Sequence, residues 1–289
     1  VRKWVLLPQP EPQLVTVLAR ELGINQVVAR LLASRGYDTV EKAREFLNPR
    51  LEDLHDPFLF RQMERAVERL KGVIGDREAV LIYGDYDVDG TAGTSLLLQV
   101  LGELGARVSY YIPNRQREGY GLSRSGVEAA RRRGASLIIT VDCGVSALSE
   151  VELAQSMGMD VIVTDHHQFR GERPDAAAIL DPKLEGEPYP CKELAGVGIV
   201  YKLCQALLMS RGLDSVLLRE HLDLVALGTV ADIVPLTGEN RIFAKFGLER
   251  LGSTKKPGIR ALIQVCQLEE GPFTTYHIGF LLAPRLNAV

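Results

Sequence analysis

From residue 79 onward, five short runs rich in aliphatic and β-branched side chains recur along the chain: AVLIY (79–83), VSYYI (108–112), SLIIT (136–140), DVIVT (160–164) and AAAIL (176–180). Most of them do not alternate apolar with polar residues, so they read as strands covered on both faces. Between them lie stretches with helical spacing, Thr91–Leu104, Ser123–Arg133 and Ala147–Met157. Strands alternating with helices indicate an α/β fold, a parallel sheet flanked by helices, because a parallel pair needs a crossover and a helix is the usual one. Gly102, Gly105, Gly134 and Gly158 fall near the ends of those helices, where a left-handed cap is expected.

The flanks read differently. Leu14–Leu22, Val27–Ser34, Thr39–Phe46 and Gln62–Ile74 carry apolar residues at helical spacing, with Pro49 and Pro57 breaking the run before the last. After residue 195 the chain turns mostly helical again, over Gly198–Met209 and Ser215–Thr229. The expected organisation is a helical N-terminal region over 1–75 packed on the core, an α/β core over 76–235, and a helical C-terminal part over 236–289. A length of 289 residues with 46% hydrophobic and 25% charged residues suits a soluble globular protein. The net charge of −3 announces no global basic field, although a local groove can still be basic. Four cysteines, Cys143, Cys191, Cys204 and Cys266, lie far apart without a C-x-x-C pair, which argues against a zinc knuckle and a disulfide framework. No signal peptide and no membrane span are legible, so a cytoplasmic location is expected.

The chemistry concentrates at strand ends. LIYGDYDVDGTAG (81–93) spaces Asp85, Asp87 and Asp89 two apart and follows them with Gly90, as an EF-hand loop begins. That loop needs a bidentate glutamate at position 12, which falls on Leu96, and it follows a helix rather than a strand; both requirements fail. Three carboxylates so close repel one another unless a cation neutralises them. SLIITVDCG ends its strand at Asp142, and DVIVTDHHQ ends the next at Asp165, His166 and His167. Any one of these is commonly a helix cap or a surface residue. Their recurrence at one edge of a sheet, where open α/β folds bind ligands, points to a metal centre. Asp232, a lone acid in LGTVADIVPL, is costly to bury unless paired or ligating. Carboxylates with one or two imidazoles and no thiolate suit Mn²⁺ or Mg²⁺ better than structural Zn²⁺. The number of acids is enough for two ions about 3.5–4 Å apart, an arrangement suited to hydrolysing a phosphoester or phosphoanhydride. Cys143 has no base placed beside it by the sequence and reads as packing.

The ordered set GDYDVDG, VDCGVS, TDHH and GTVADIVPL resembles the signatures of the DHH phosphoesterase superfamily, Rossmann-like in fold. PFLFRQMERAVERL (57–70), YIPNRQREGYGLS (111–123), LAGVGIVYKLCQAL (194–207) and HIGFLLAPRLNA (277–288) are similar to its RecJ family, bacterial single-strand-specific 5′→3′ DNA exonucleases acting in repair and recombination. The resemblance implies that Asp87 and Asp142 hold one ion and Asp89, Asp142, His166 and Asp232 the other, with Asp142 bridging. It leaves Asp85 as a ligand or a holder of water, sets His167 against the scissile phosphate, and has Asp165 orient a ligating histidine. Asn114, Arg115, Arg117 and Tyr120 are the implied DNA contacts, with Arg285 and Asn287 near the 5′ end. Arg115, Arg117 and Glu118 also read as a solvated, self-paired loop, and ARRRG (130–134) as a solvated helix face. The implied partners are single-stranded DNA, a helicase and a single-strand-binding protein, for a monomer. Members of that family continue into a second phosphoesterase subdomain and usually an oligonucleotide-binding barrel; these 289 residues reach only the connecting region and read as part of a longer chain.

Two rival readings stand beside this one. A small-substrate member of the superfamily would cleave short oligonucleotides, cyclic dinucleotides or pyrophosphate; the EGYGL and PRLNA segments count against it. A non-catalytic, helicase-associated scaffold would have lost metal-binding acids, whereas every expected acid and histidine is present.

Overall fold

The computed structural model describes residues 9–169, 171–268 and 271–288, and the chain divides into two units, Val1–Leu54 and His55–Val289. Among its described residues the first unit holds three α-helices, α1 (Pro12–Leu22), α2 (Gln26–Ser34) and α3 (Val40–Leu47), and a 3₁₀ turn Leu51–Asp53. Asn25 caps α2 through Val27 N–H and Thr39 caps α3 through Lys42 N–H. Their apolar stripes meet in a small core of Val15, Leu18, Ala29, Leu32 and Ala43.

In the second unit the expected alternation is present. The elements run α4 (Met63–Gly75), β1 (Ala79–Gly84), α5 (Val88–Glu103), β2 (Arg107–Tyr111), α6 (Arg115–Glu118), α7 (Arg124–Arg132), β3 (Ala135–Val141), α8 (Leu148–Ser156), β4 (Asp160–Thr164) and β5 (Ala178–Leu180). Then come α9 (Gly196–Ser210), α10 (Leu222–Ala231), α11 (Gly238–Leu251), α12 (Pro257–Val265), a π-helical stretch His277–Leu282 and α13 (Ala283–Leu286). All strand pairs are parallel, in the order β2-β1-β3-β4-β5. Leu81, Tyr83, Ile138, Val161 and Val163 face one way, into a core shared with Val127 and Ala130 of α7 and Val151 and Ala154 of α8. The alternate residues point to the other face, where α5 and α9 pack. Burial on both faces is why β1, β3, β4 and β5 lack polar alternation, whereas β2 lies at the sheet edge and stays partly exposed.

Two expectations are corrected. Gly102 lies within α5 and only Gly105, Gly134 and Gly158 take the left-handed conformation, because α5 runs on to Glu103. Ser215–Thr229 is not one helix: a 3₁₀ segment, Ser215–His221, precedes α10. The division of the chain falls between Leu54 and His55, and α4 lies in the second unit.

The topology decides where a ligand can sit. The chain leaves β1 to form β2 on one side and returns to form β3 on the other. The crevice beyond the carboxyl ends of β1 and β3 is therefore the switch point at which such sheets bind ligands.

Candidate metal centre

The ladder register carries acids into a row. Gly84 pairs with Val141, Val141 with Thr164, and Thr164 with Leu180. The next residue on each strand is an aspartate: Asp85, Asp142, Asp165 and Asp181. Their backbones continue the ladder, with Asp85 N–H donating to Val141, Asp142 N–H to Thr164 and Asp165 N–H to Leu180. Asp181 escaped the sequence reading, since β5 is only three residues long and Asp-Pro there reads as a turn. Asp87, in the short connection after β1, caps α5, accepting from Gly90 N–H at 2.9 Å, and Asp89 sits in the first turn of that helix. Asp89 also receives Gly196 N–H at 2.7 Å and Val197 N–H at 2.9 Å, so it caps α9 from across the crevice. Asp232, just after α10, brings its Oδ2 to 3.5 Å from His166 Nε2.

These side chains converge in overlapping groups: Asp85, Asp87 and Asp142; Asp89, His166 and Asp232; and Asp142, His166 and His167. His166 Nε2 and Asp142 Oδ1 face one another at 3.0 Å. Asp142 Oδ1, Asp85 Oδ1 and both ring nitrogens of His166 are buried without a hydrogen-bond partner. Orphaned buried oxygens and nitrogens aimed at a common point are the donor set of a hard divalent cation, and the residues fit one. Small residues make the room. A Cβ on Gly196 would lie 2.9 Å from Asp142 Oδ1, and one on Gly228 would lie 2.6 Å from Asp89 Oδ1.

Without a cation the cluster resists charging. Burial, and then the neighbouring acids, push Asp89 up to about 8 and Asp85 to about 6. Asp232 rises to about 6 for the same reasons, and Asp142 well above the usual carboxylate range. Burial, followed by the neighbouring His167, pulls His166 down to about 4, which leaves its imidazole neutral at pH 7, the form that binds metal. His167 differs. Its ring nitrogen Nδ1 lies 2.8 Å from Asp165 Oδ1, and this bond raises its pKa. Burial works to raise Asp165, but the bond from His167 and the N–H groups of Val145 and His167 outweigh it and hold Asp165 below its usual value. Asp165 thus orients the ring of His167, while His166 gives it only a backbone N–H. Burial pushes the Cys143 thiol far up, consistent with packing.

The expected DNA contacts take varied positions. Tyr120 donates its hydroxyl to the Asp142 carbonyl at 3.1 Å and lies 2.8 Å from His167 Nδ1, so its half-exposed ring is anchored at the centre. Asn114 caps α6 through Gln116 and Arg117 N–H. Glu118 does not pair with the arginines. It accepts from Asn114 N–H and from the hydroxyls of Tyr111 and Ser123, closing the segment on itself. Arg115, exposed, lies over the ring of Tyr86 at 5.1 Å, and Arg117 is exposed as well. Arg285 is exposed and donates to the Leu281 carbonyl. Asn287 reaches the centre's own helix, accepting from Val88 N–H of α5 at 3.1 Å. Arg131 and Arg133, in the basic run, donate to the Met157 and Tyr110 carbonyls.

A family model described as DHH family, N-terminal domain, matches residues 79–229, from the start of β1 to within α10. The chain belongs to the DHH family. Within that family it is similar to the single-stranded-DNA-specific exonuclease RecJ of Bacillus subtilis, 46% identical over 98% of this chain and 35% of the relative. The RecJ of Escherichia coli is 40% identical over 91% of this chain and 47% of the relative. The chain therefore spans between a third and a half of the length of these curated relatives. Among solved structures, RecJ of Thermus thermophilus in complex with Mn²⁺ superposes with a TM-score of 0.79 at 28% identity, over 96% of this chain and 39% of that one. An exonuclease RecJ bound to manganese gives 0.73 at 32% identity, over 81% of this chain and 59% of that one. The DHH motif itself is Asp165, His166 and His167 at the end of β4.

Proposed function

We propose that this chain is the catalytic portion of a metal-dependent exonuclease that hydrolyses single-stranded DNA from its 5′ end to 5′-mononucleotides. The observation that carries the reading is the convergence of buried, unpartnered acid and imidazole atoms on one strand edge, in two groups joined by the close approach of Asp142 and His166. Asp85, Asp87 and Asp142 would hold one Mn²⁺ or Mg²⁺, and Asp89, His166, Asp232 and Asp142 the other. Bound there, such ions supply the positive charge that makes water nucleophilic near neutral pH and offsets charge on the phosphoryl oxygens. The similarity to relatives named as single-stranded-DNA-specific exonucleases, and to structures holding manganese, supports the substrate class and the metal.

The chain's own groups have distinct tasks. His167 is held through Nδ1 by Asp165, which leaves Nε2 to donate to a non-bridging oxygen of the scissile phosphate when the ring is protonated. Tyr120 ties the position of that ring to the backbone of Asp142. Arg115, over Tyr86 next to Asp85, and the exposed Arg117 and Arg285 suit neighbouring phosphates. Water adds to phosphorus, the P–O3′ bond breaks, and the departing 3′ oxygen takes up a proton. The released nucleotide keeps its 5′ phosphate.

The test is single-stranded DNA labelled at either end, incubated with Mn²⁺, Mg²⁺ or EDTA. Mononucleotide appearing first from the 5′ label, only with metal and not from a blunt duplex, is the expected result. Preferential hydrolysis of pyrophosphate or dinucleotides would overturn it.

A further inference from the structure

Ile233 combines features that a folded chain ordinarily keeps apart. Its backbone is left-handed, with φ at +61°, a conformation strained for a β-branched side chain. The residue is 88% exposed, so packing does not offset the strain. It directly follows Asp232, whose Oδ2 lies 3.5 Å from His166 Nε2 within the cluster.

The turn has its own structural reason. Ile233 N–H donates to the Val230 carbonyl at 3.3 Å, which ends α10 and leaves Asp232 at the centre. That accounts for the conformation and not for the isoleucine, since glycine or asparagine would make the same turn with less strain. Asp142, the other left-handed non-glycine residue at the centre, has its side chain explained by the cluster it enters. Among the described residues, the side chain of Ile233 has no comparable task. Strain that packing does not repay, at the rim of a site, is a mark of a contact made with a ligand. A nucleotide in such a site offers polar phosphate and sugar oxygens, and one broad apolar surface, the face of its base.

We propose that Ile233 is a substrate-contact residue: an aliphatic shelf against which a nucleobase rests when its phosphate lies at the metal centre. The inference builds on the DNA reading above. An aliphatic face carries no hydrogen-bonding code, so the contact is indifferent to which base is present. It needs a base face free of its neighbour, which an unpaired strand presents and a stacked duplex hides. The shelf thereby adds to the selection of single strands at the point of cleavage.

The experiment uses the full 289-residue chain and the Ile233→Asn variant, because asparagine tolerates the left-handed backbone. Fluorescence anisotropy, with Ca²⁺ replacing Mn²⁺ to prevent turnover, reads affinity for a labelled oligothymidylate and for an abasic deoxyribose-phosphate strand of equal length. The expected result is about a tenfold loss of affinity for oligothymidylate, with affinity for the abasic strand, Mn²⁺ affinity by calorimetry and melting temperature all maintained or improved. Equal oligothymidylate affinity in the two proteins overturns the shelf while the DNA reading stands. A parallel fall in Mn²⁺ affinity also overturns it, because the effect would then travel through Asp232. If the unmodified chain binds neither strand, the DNA reading itself falls and the shelf with it.

Discussion

Asp142 carries two burdens at one position: a left-handed backbone at φ +62° and a buried carboxylate with an orphaned oxygen. The first costs on the order of 1–2 kcal/mol in a residue with a Cβ, and the second is tolerable only with a proton on it or a cation beside it. Asp142→Asn separates the two, because asparagine accepts the backbone but removes the charge. The expected outcome is a melting temperature at or above that of the parent without metal, with Mn²⁺ binding and end-label release both lost. Retention of full activity would remove Asp142 from the centre. Most of the cluster was legible because Asp and His recur where apolar runs stop. What was not legible is conformational. Nothing in VDCG or ADIV signals a left-handed residue, since neither Asp142 nor Ile233 is a glycine. Asn287 was visible as a candidate, but its contact with Val88 N–H bridges remote parts of the chain and has no local signal.

At the scale of elements, the helices and strands were readable almost to their ends because burial on both sheet faces and the helix caps both leave local marks. The start of α5 was set three residues late, at Thr91 instead of Val88, because Asp87 serves at once as cap and cluster member. The packing of α5, α9 and α10 was not readable, although it brings Asp89 to the N–H groups of Gly196 and Val197. Gly228 of α10 lies against that same carboxylate. Gly228→Ala is therefore expected to leave the circular dichroism unchanged and to weaken Mn²⁺ binding by about 10–100-fold, measured by calorimetry. A second joint between elements is purely structural. Lys202 of α9 meets Glu239 of α11 at 2.6 Å with both side chains buried, and Glu239 also receives the Tyr189 hydroxyl and His55 N–H. Lys202→Met leaves Glu239 charged and buried without its cation, at a cost of about 3–5 kcal/mol. Urea unfolding should register that loss, and the added change Glu239→Gln should recover part of it.

For the whole molecule, the raised acids couple stability to pH. Asp85 and Asp232 move to about 6 and Asp89 to about 8 on folding, from about 4 in an unfolded chain. The folded state therefore holds protons that the unfolded state has released. The stability this contributes is complete below pH about 4 and is lost as pH rises through 6 and then 8. In EDTA the melting temperature should be lower at pH 8 than at pH 5. Mn²⁺ competes with those protons, so the rise in melting temperature that it produces should be larger at pH 8. An EDTA melting temperature that climbs from pH 5 to 8 would contradict this account. Sheet type and the strand-end location of the site were recoverable from pattern alone. The sequence carries no local mark between Leu54 and His55, because α4 has the same helical texture as the three helices before it. The row of acids at successive strand ends also bears on the order of events in folding. Its members sit at the ends of β1, β3, β4 and β5, with Asp89 of α5 and Asp232 after α10 beside them, so the acidic groups do not come together until the long crossovers have closed and the sheet is in register. Such distant closures come late and are slow. The cation therefore finds no template in the early chain and acts on the finished product, lengthening the lifetime of the native state while leaving the rate of its formation unaltered.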